Sequence, residues 1–562
     1  MEDYSLPEDS LFLGFDCSTQ SLKATVLDAN LRIFVTEVIN FDAELPHYKT
    51  KDGVVRDPNV KGRIFSPTLM WVEALDLMLQ KLDKLKLDFG KIIAVSGSAQ
   101  QHGSVYWKNG SLKVLASLDS KKLLADQLNG VFSIEESPIW MDCSTTEQCR
   151  AIEKAVGGPL ELSKLTGSCA HERYTGPQIR KMFETQPKVY HDTERISVVS
   201  SFMASLLIGS YACIDQTDGA GMNLMDIKLR NWSRIALEAT APGLAKKLGD
   251  LAPAHAVAGF ISNYYVQRFQ FNKNCSVIQW SGDNPNSLAG LTVNTPGDLA
   301  ISLGTSDTVF GIATNCKPSL EGHTFPDPVS MEDYMVMLVY KNGSLTREDI
   351  RNRHANKSWE VFNSHLHETP PLNGGKIGFY YCEHEILPPL PIGQHRYILE
   401  EFENDALDGL VEHEVTEFDG PTEVCIIVRA LIEGQLLSMR AHAEKIGMAS
   451  PPRRIIATGG ASANKCILSM MASIFGCDIY SVEMPDSASL GAALRAAHGW
   501  LCQKKGDFIA IKDMYIHKLE HTSLSLKLSA SAGDPQLVAS YTSLMKTRLE
   551  IEKQLVRKFG RV

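Results

Sequence analysis

The chain has 562 residues, of which 44% are hydrophobic and 22% charged, with a formal net charge of -10. That length exceeds a single hydrophobic core and predicts two or more domains, in a composition ordinary for a soluble globular protein. The acidic balance argues against a general nucleic-acid or anionic-membrane surface, and no apolar run reaches the ~18–20 residues that span a bilayer.

The N-terminal MEDYSLPEDS is acidic and has no basic region followed by an apolar one, so no signal peptide is expected there and a cytoplasmic protein is. Leu11–Phe15 reads as a strand, Asp16–Ser21 as a polar turn, and Lys23–Leu27 and Leu31–Ile39 as further strands of an antiparallel meander. The turn sets one carboxylate and several hydroxyl and N–H groups at a strand end. It reads either as an ordinary hairpin turn or as a ligand-holding device. Ser66 is the expected N-cap of a helix with Pro67 in its first position, and Trp71, Leu75, Met78 and Leu82 form its core-facing side. Ile92–Val95 is a buried-type strand followed by the small and polar run Ser96–Gly103. His102 in that run is either a satisfied loop histidine or a ligand contact, and its place after a strand's carboxyl end favours contact.

Ser137–Asp142 is strand-like, and Thr145–Val156 reads as a helix stopped by Gly157-Gly158-Pro159. Arg173 lies in a loop before the next helix. A surface salt bridge is the common fate of an arginine, but a guanidinium there can also donate to hydroxyls or a phosphate. Ser197–Ile208 is an apolar helix and Asp215–Gly221 a polar loop. Val277–Trp280 leads into Asp283, a carboxylate among the small residues Ser281–Pro285, with a short helix expected at Ser287–Leu291.

Asp298–Phe310 gives strand, turn and strand around Gly304-Thr305-Ser306, a weak internal repeat of Leu11–Leu27. Met335–Val339 is expected to continue as a strand through an Asn342-Gly343 turn to Leu345. Arg347–Phe362 reads as one helix, with Trp359 packed on it. Glu400–Asp419 is acidic and reads as an exposed loop. Thr422 is expected to cap a long helix ending at Ile446. Arg454–Thr458 is a strand followed by Gly459–Asn464 and a helix to Phe475; Ile479–Val482 is a strand and Ser487–His498 a helix. A polar loop, His521–Asp534, precedes an amphipathic helix near Tyr541–Lys558. The twelve cysteines are scattered singly without a C-x-x-C pair, so reduced core thiols are expected and a zinc site is not.

Three small-residue turns thus follow three strands: Asp16–Ser21, Gly304–Ser306 and Gly459–Ser462. The third opens onto a helix N-terminus, where free N–H groups favour an anionic ligand. Neither G-x-x-x-x-G-K-[ST] nor G-x-G-x-x-G spacing occurs at these turns, so neither a P-loop nor a dinucleotide site is supported.

FLGFDCSTQSLKATVLD, SGDNPNSLAG, ISLGTSDT and ATGGASANKCILSMMASIF resemble motifs of the FGGY carbohydrate kinases, part of the wider group of actin-like, sugar-kinase and heat-shock-chaperone ATPases. Within that family QQHGSVYW, WMDCST, SGDNP, EGHTF and KNGSLTRE resemble the eukaryotic branch acting on D-xylulose. The resemblance runs from about Leu11 to about Gly499. It implies an α/β fold of two ribonuclease-H-like (actin-like ATPase) domains flanking a catalytic cleft. Residues 10–290 would form the N-terminal kinase domain with the sugar site and base, 291–545 the C-terminal domain with the nucleotide site, and 546–562 a helix end and tail. The implied reaction is ATP-dependent phosphorylation of D-xylulose to D-xylulose 5-phosphate, feeding the pentose phosphate pathway. Asp283 would be the general base, and His102, Arg173, Asp283 and Asn284 would bind the sugar. Thr305, Trp359, Gly460, Ala461 and Asn464 would hold ATP, with Asp16 facing Mg²⁺ indirectly. Small-molecule partners only are implied, without nucleic acid or membrane, in a monomer or homodimer. The alternatives are a family member for ribulose, glycerol or another polyol, and a non-catalytic actin-like ATPase. Cys17 stands where family members vary, and Glu400–Asp419 is longer than the usual connection.

Overall fold

The computed structural model describes residues 4–399, 415–417, 422–482, 486–515 and 526–560. Of the acidic stretch Glu400–Asp419 only Val415–Glu417, a short strand, falls among them; the exposed loop expected there, and the first part of the loop expected at His521–Asp534, otherwise lie outside the described residues. The chain forms two compact units. One takes in Met1–Asn294, Cys316–Met335 and Asp486–Ser525, and the other Thr295–Asn315, Val336–Pro485 and Leu526–Val562.

The first unit is built on a sheet whose strands run Val257–Phe260, Ser276–Ile278, Ile92–Ala99, Leu11–Cys17, Ser21–Asp28, Ile33–Asn40. The last three form the antiparallel meander expected from their turns. Leu11–Cys17 is buried at every position, as a strand covered on both faces must be. It pairs parallel to Ile92–Ala99, with Asp16 opposite Ser98. The helices Thr68–Lys84 and Val199–Ile208 contribute to the core around this sheet. Ser487–Lys505 packs against Leu11–Cys17 and Ile92–Ala99 so closely that a Cβ at Gly14 would lie 2.1 Å from the Ala493 nitrogen. A single cut near residue 290 does not capture this packing, because the helix comes from the far end of the chain.

The second unit's sheet runs Tyr334–Tyr340, Asp307–Ala313, Asp298–Leu303, Arg454–Thr458, Ile479–Ser481, Lys527–Ala530. Asp298–Leu303 pairs antiparallel with Asp307–Ala313 and parallel with Arg454–Thr458. That is the pairing of Leu11–Cys17 with its two neighbours, so the repeat expected from the sequence is a repeat of topology. Helices Val424–Lys445, Lys465–Phe475 and Pro535–Phe559 pack together in this unit's apolar core; the segment 546–562 begins inside the last of them.

Several boundaries differ from the sequence reading. Ser66 and Pro67 end a strand, and the helix starts at Thr68 with Pro67 as its cap residue, because the Ser66 hydroxyl donates to Gly53 O (2.9 Å) instead. Asp215–Gly221 is not a loop: Asp215 caps a short helix, Gln216–Gly221, by accepting from Thr217 N. The helix after Asp283 begins at Asp283 itself and ends at Gly290. After Asn342-Gly343 the chain enters the helix Ser344–His354 rather than a further strand. This helix is separate from Trp359–Glu368, because Asn356 and Lys357 take left-handed backbone angles and Ser358 caps the second helix. The long helix starts at Val424; Thr422 does not cap it but accepts from Arg396 Nη1 (2.8 Å). Ser487–Lys505 runs past His498 until Gly506 stops it, and the last helix begins early because Asp534 caps it ahead of Pro535.

Candidate active site

Strand register assembles the first group of residues. Ser98 pairs with Asp16 on one side of Ile92–Ala99 and with Ser281 on the other. Asp16 and Asp283 therefore stand at neighbouring strand ends, flanking one central strand. The start of the Asp283 helix is braced from below. Asn286 Nδ2 donates to Gly282 O (2.9 Å), and Arg495 Nη1 donates to Asn286 Oδ1 (3.1 Å). Arg495 Nη2 also donates to Gln279 O (3.0 Å) and Ala254 O (2.7 Å).

Asp16 is 2% exposed and accepts from Ser98 Oγ (2.8 Å) and from Ser18 Oγ. Burial raises its carboxyl above the ordinary range, against the lowering by both serines and Lys23. Asp283 Oδ1 accepts from Asn284 N (2.8 Å) and Asn284 Nδ2 (3.0 Å). Burial first, and repulsion from Asp16 second, push Asp283 up to about 7, although the Asn284 hydrogen bonds pull it down. A carboxylate so placed both accepts a proton near neutrality and can hold it.

His102 sits at φ +70, buried, with Nδ1 3.1 Å from Gly221 O. A carbonyl only accepts, so Nδ1 carries the proton and Nε2 keeps a lone pair. Burial, then Arg173, hold this histidine well below its ordinary range. Arg173 Nη2 lies 2.9 Å from His323 Nε2, and its guanidinium lies over the Tyr174 ring at 5.4 Å. Burial lowers Arg173 to about 10. Asn284 Nδ2 also donates to Gln101 Oε1 (3.1 Å), while Gln101 Nε2 and both amide atoms of Gln100 are buried without a partner. The first unit thus holds Asp16, His102, Arg173, Asp283 and Asn284.

Sequence reasoning did not assign His323, Tyr174, Gln101 or Asp218 a role. Asp218 Oδ2 accepts from Ser200 Oγ (2.5 Å), and burial, then Asp215, push it up to about 8. His323 lay in the EGHTF segment, but nothing local connects it to Arg173.

The second unit holds the other predicted residues. The Gly304–Ser306 turn ends Asp298–Leu303, with Thr305 and Ser306 exposed. Ser302 pairs with Thr458, which sets the Gly459–Ala463 segment beside it. Gly459 has φ +82, and a Cβ there would lie 2.7 Å from Leu303 O, so this turn needs glycine. A Cβ at Gly460 would meet nothing within 4 Å, and Ala461 follows half-buried. Asn464 caps Lys465–Phe475 by accepting from Cys466 N (3.0 Å) and Ile467 N (3.3 Å). Its Nδ2 donates to Asn363 Oδ1 (2.8 Å) on Trp359–Glu368, which ties the helix of Trp359 to this turn. Trp359 is half-buried beneath the Arg351 guanidinium, 4.7 Å from its ring. The strand ends are fixed by a buried pair: Arg347 donates to both Asp307 oxygens (2.7 and 2.9 Å), and Ser344 N donates to Gly304 O (2.7 Å).

Among the described residues no cluster of three or more His, Cys, Asp or Glu could hold a metal ion by itself. Asp16, one carboxylate oriented by two serines, would suit a Mg²⁺ ion that keeps most of its waters.

The chain matches family models for the N-terminal domain (residues 132–290) and the C-terminal domain (residues 299–500) of the FGGY family of carbohydrate kinases. It is 68% identical to xylulose kinase 2 of Arabidopsis thaliana over 560 residues, covering 100% of each chain. It is 44% identical to xylulose kinase of Rattus norvegicus, covering 97% of each. Among solved structures it resembles a xyloylose kinase from Brucella ovis (TM-score 0.75, 18% identity, 97% of this chain and 99% of that one). It also resembles a ligand-bound xylulose kinase from Lactobacillus acidophilus (TM-score 0.73, 18% identity, 98% and 99%). Those two likenesses carry the fold, a pair of ribonuclease-H-like domains of the actin-like type. With both domain models matched and relatives alike along its whole length, the chain belongs to the FGGY family of carbohydrate kinases.

Proposed function

We propose that the chain transfers the γ-phosphoryl group of ATP to D-xylulose, giving D-xylulose 5-phosphate and ADP. The observation that carries this reading is Asp283. It is a carboxylate pushed to about 7 at the head of a braced helix, with the Asn284 amide on it and the buried His102 imidazole in the same unit, groups suited to a polyol. The choice of D-xylulose rests on the names of the full-length relatives.

Asp283 takes the proton of the sugar's terminal hydroxyl as that oxygen bonds to the γ-phosphorus and the bond to the bridging oxygen of ADP breaks. Phosphoryl transfer has a loose transition state, so a modest base suffices when the oxygen is well positioned. His102 Nε2 accepts from a sugar hydroxyl, Arg173 donates to one, and Asn284 does so while holding Asp283. Gly460, Ala461 and Asn464 receive the nucleotide against backbone, Trp359 flanks the base and Thr305 donates to phosphate. Mg²⁺, when bound with ATP, neutralises phosphate charge; Asp16 would hold it through its waters. Residues 10–290 would carry the base and the sugar ligands, in one unit with Cys316–Met335 and Asp486–Ser525, and 291–545 would carry the nucleotide ligands, in a reducing cytoplasmic setting consistent with twelve free cysteines.

The test is an ATP-coupled assay on D-xylulose, D-ribulose, L-xylulose, glycerol and gluconate. Preferred turnover of D-xylulose is expected, and fast turnover of glycerol with none of D-xylulose would overturn the reading. Asp283→Ala should abolish phosphorylation while ATP binding, followed by calorimetry, persists.

A further inference from the structure

We propose that His323 is a positioning residue for Arg173: a neutral imidazole acceptor that fixes the guanidinium in the sugar site without neutralising its charge. The inference rests on the reading of Arg173 as a sugar ligand given above.

His323 opens the strand His323–Pro326, 150 residues beyond Arg173, and is 4% exposed. Its Nε2 lies 2.9 Å from Arg173 Nη2. A guanidinium has five donors and no acceptor, so it must donate here and Nε2 must hold a lone pair. The ring proton is then on Nδ1, the nitrogen nearer the Tyr174 hydroxyl, which also lies 3.1 Å from Nε2. The ring is held flat between His171 (centroids 5.4 Å apart, planes at 28°) and Phe325 (5.8 Å, 7°). Burial, then Arg173 and His171, hold His323 well below its ordinary range, so it stays neutral at assay pH.

The acceptor's chemistry matters because the same protein uses the other solution elsewhere. Arg347 is buried against both oxygens of Asp307, and its charge is cancelled in the scaffold. Arg173 instead takes an imidazole as its side-chain partner, and the Glu172 carboxylate acts on it only second to burial. An imidazole lone pair takes one N–H of the fork and leaves the positive charge and the remaining donors for hydroxyl oxygens. Holding the group in place beforehand also lowers the ordering cost when sugar binds.

The test is a double-mutant cycle read as sugar KM, ATP KM and kcat. His323→Phe keeps the flat stacked ring and removes the acceptor. It should raise the D-xylulose KM about tenfold, with kcat and the ATP KM changed less than about twofold. His323→Gln, whose amide oxygen can stand where Nε2 does, should recover most of that loss. In an Arg173→Ala background His323→Phe should add no further increase, because its effect runs through the arginine. An unchanged sugar KM in His323→Phe, or an equal increase in the Arg173→Ala background, would overturn the inference. An unchanged sugar KM in Arg173→Ala itself would instead sink the reading of Arg173. If the phenylalanine variant does not fold, His323→Gln and His323→Asn carry the comparison. The longer amide should keep sugar affinity and the shorter lose it, and equal KM values would count against the role.

Discussion

Asp16→Asn isolates the electrostatic part of Asp283's basicity. The substitution keeps shape and leaves an amide oxygen for Ser98 and Ser18, but removes the negative charge that ranks second after burial in raising Asp283 to about 7. Asp283 must be ionised to take a proton, so activity should fall on the acid side of its pKa. With a pKa of about 7, roughly a tenth of the protein has the ionised base at pH 6 and roughly nine-tenths at pH 8. Removing a like charge beside a carboxyl lowers its pKa by about one unit, while the burial contribution remains. The acid limb should then centre near pH 6, with about half the base ionised at that pH. The ratio of variant to parent rate should therefore rise about fivefold between pH 8 and pH 6, whatever the absolute loss from disturbing the Mg²⁺ contact. The assay is initial rate of ADP formation with both substrates well below saturation, so that the free protein's ionisations are read. Taking the ratio cancels ATP's own titration. A ratio flat from pH 6 to pH 8 would show that Asp16 does not tune Asp283, or that Asp283 is not the titrating base.

Three further outcomes are expected. Arg347→Met strands the Asp307 carboxylate in the interior and should lower stability by about 3–5 kcal/mol, read by calorimetric melting; a parent-like melting temperature would contradict the buried pair. Gly491→Val places a side chain where even a Cβ would lie 1.8 Å from Asn286 O. It should force the Ser487–Lys505 helix away from the Asp283 helix, with soluble yield and sugar phosphorylation lost together; normal yield and activity would refute the close approach. Asn464→Ala removes the acceptor of Cys466 N and Ile467 N, costing about 1 kcal/mol. It should raise the ATP KM more than the sugar KM, and the reverse order would remove Asn464 from the nucleotide side.

Local signals were enough for the strand-and-turn devices. Leu11–Cys17 and Asp298–Leu303 are apolar runs ended by residues that turn, and their pairing partners repeat because both segments are the same topological unit. Caps were less legible, since a hydroxyl has several possible partners. Ser66 and Thr422 each looked like a helix cap, but the folded chain engages one with Gly53 O and the other with Arg396. Asp215–Gly221 looked like a loop because it is polar and rich in glycine, yet Asp215 supplies the acceptor that starts a helix. Arg347 read as part of a helix, and only the folded chain shows it locked on Asp307.

The limit of sequence reading at the site follows from how the base is made. Asp283 could be singled out as a lone carboxylate among small residues, but its chemistry does not reside in SGDNP. Ser98 must pair with Asp16 on one side and Ser281 on the other before the two carboxyls stand close enough to repel. Arg495, more than 200 residues on, must then fix Asn286 so that the helix starts where it does. Each of these links joins distant segments, and each changes the proton affinity of one side chain without changing its immediate sequence. The same holds for Arg173, whose partner His323 comes from a strand 150 residues away. In this fold the residue types are local information, whereas their protonation states and orientations are products of register.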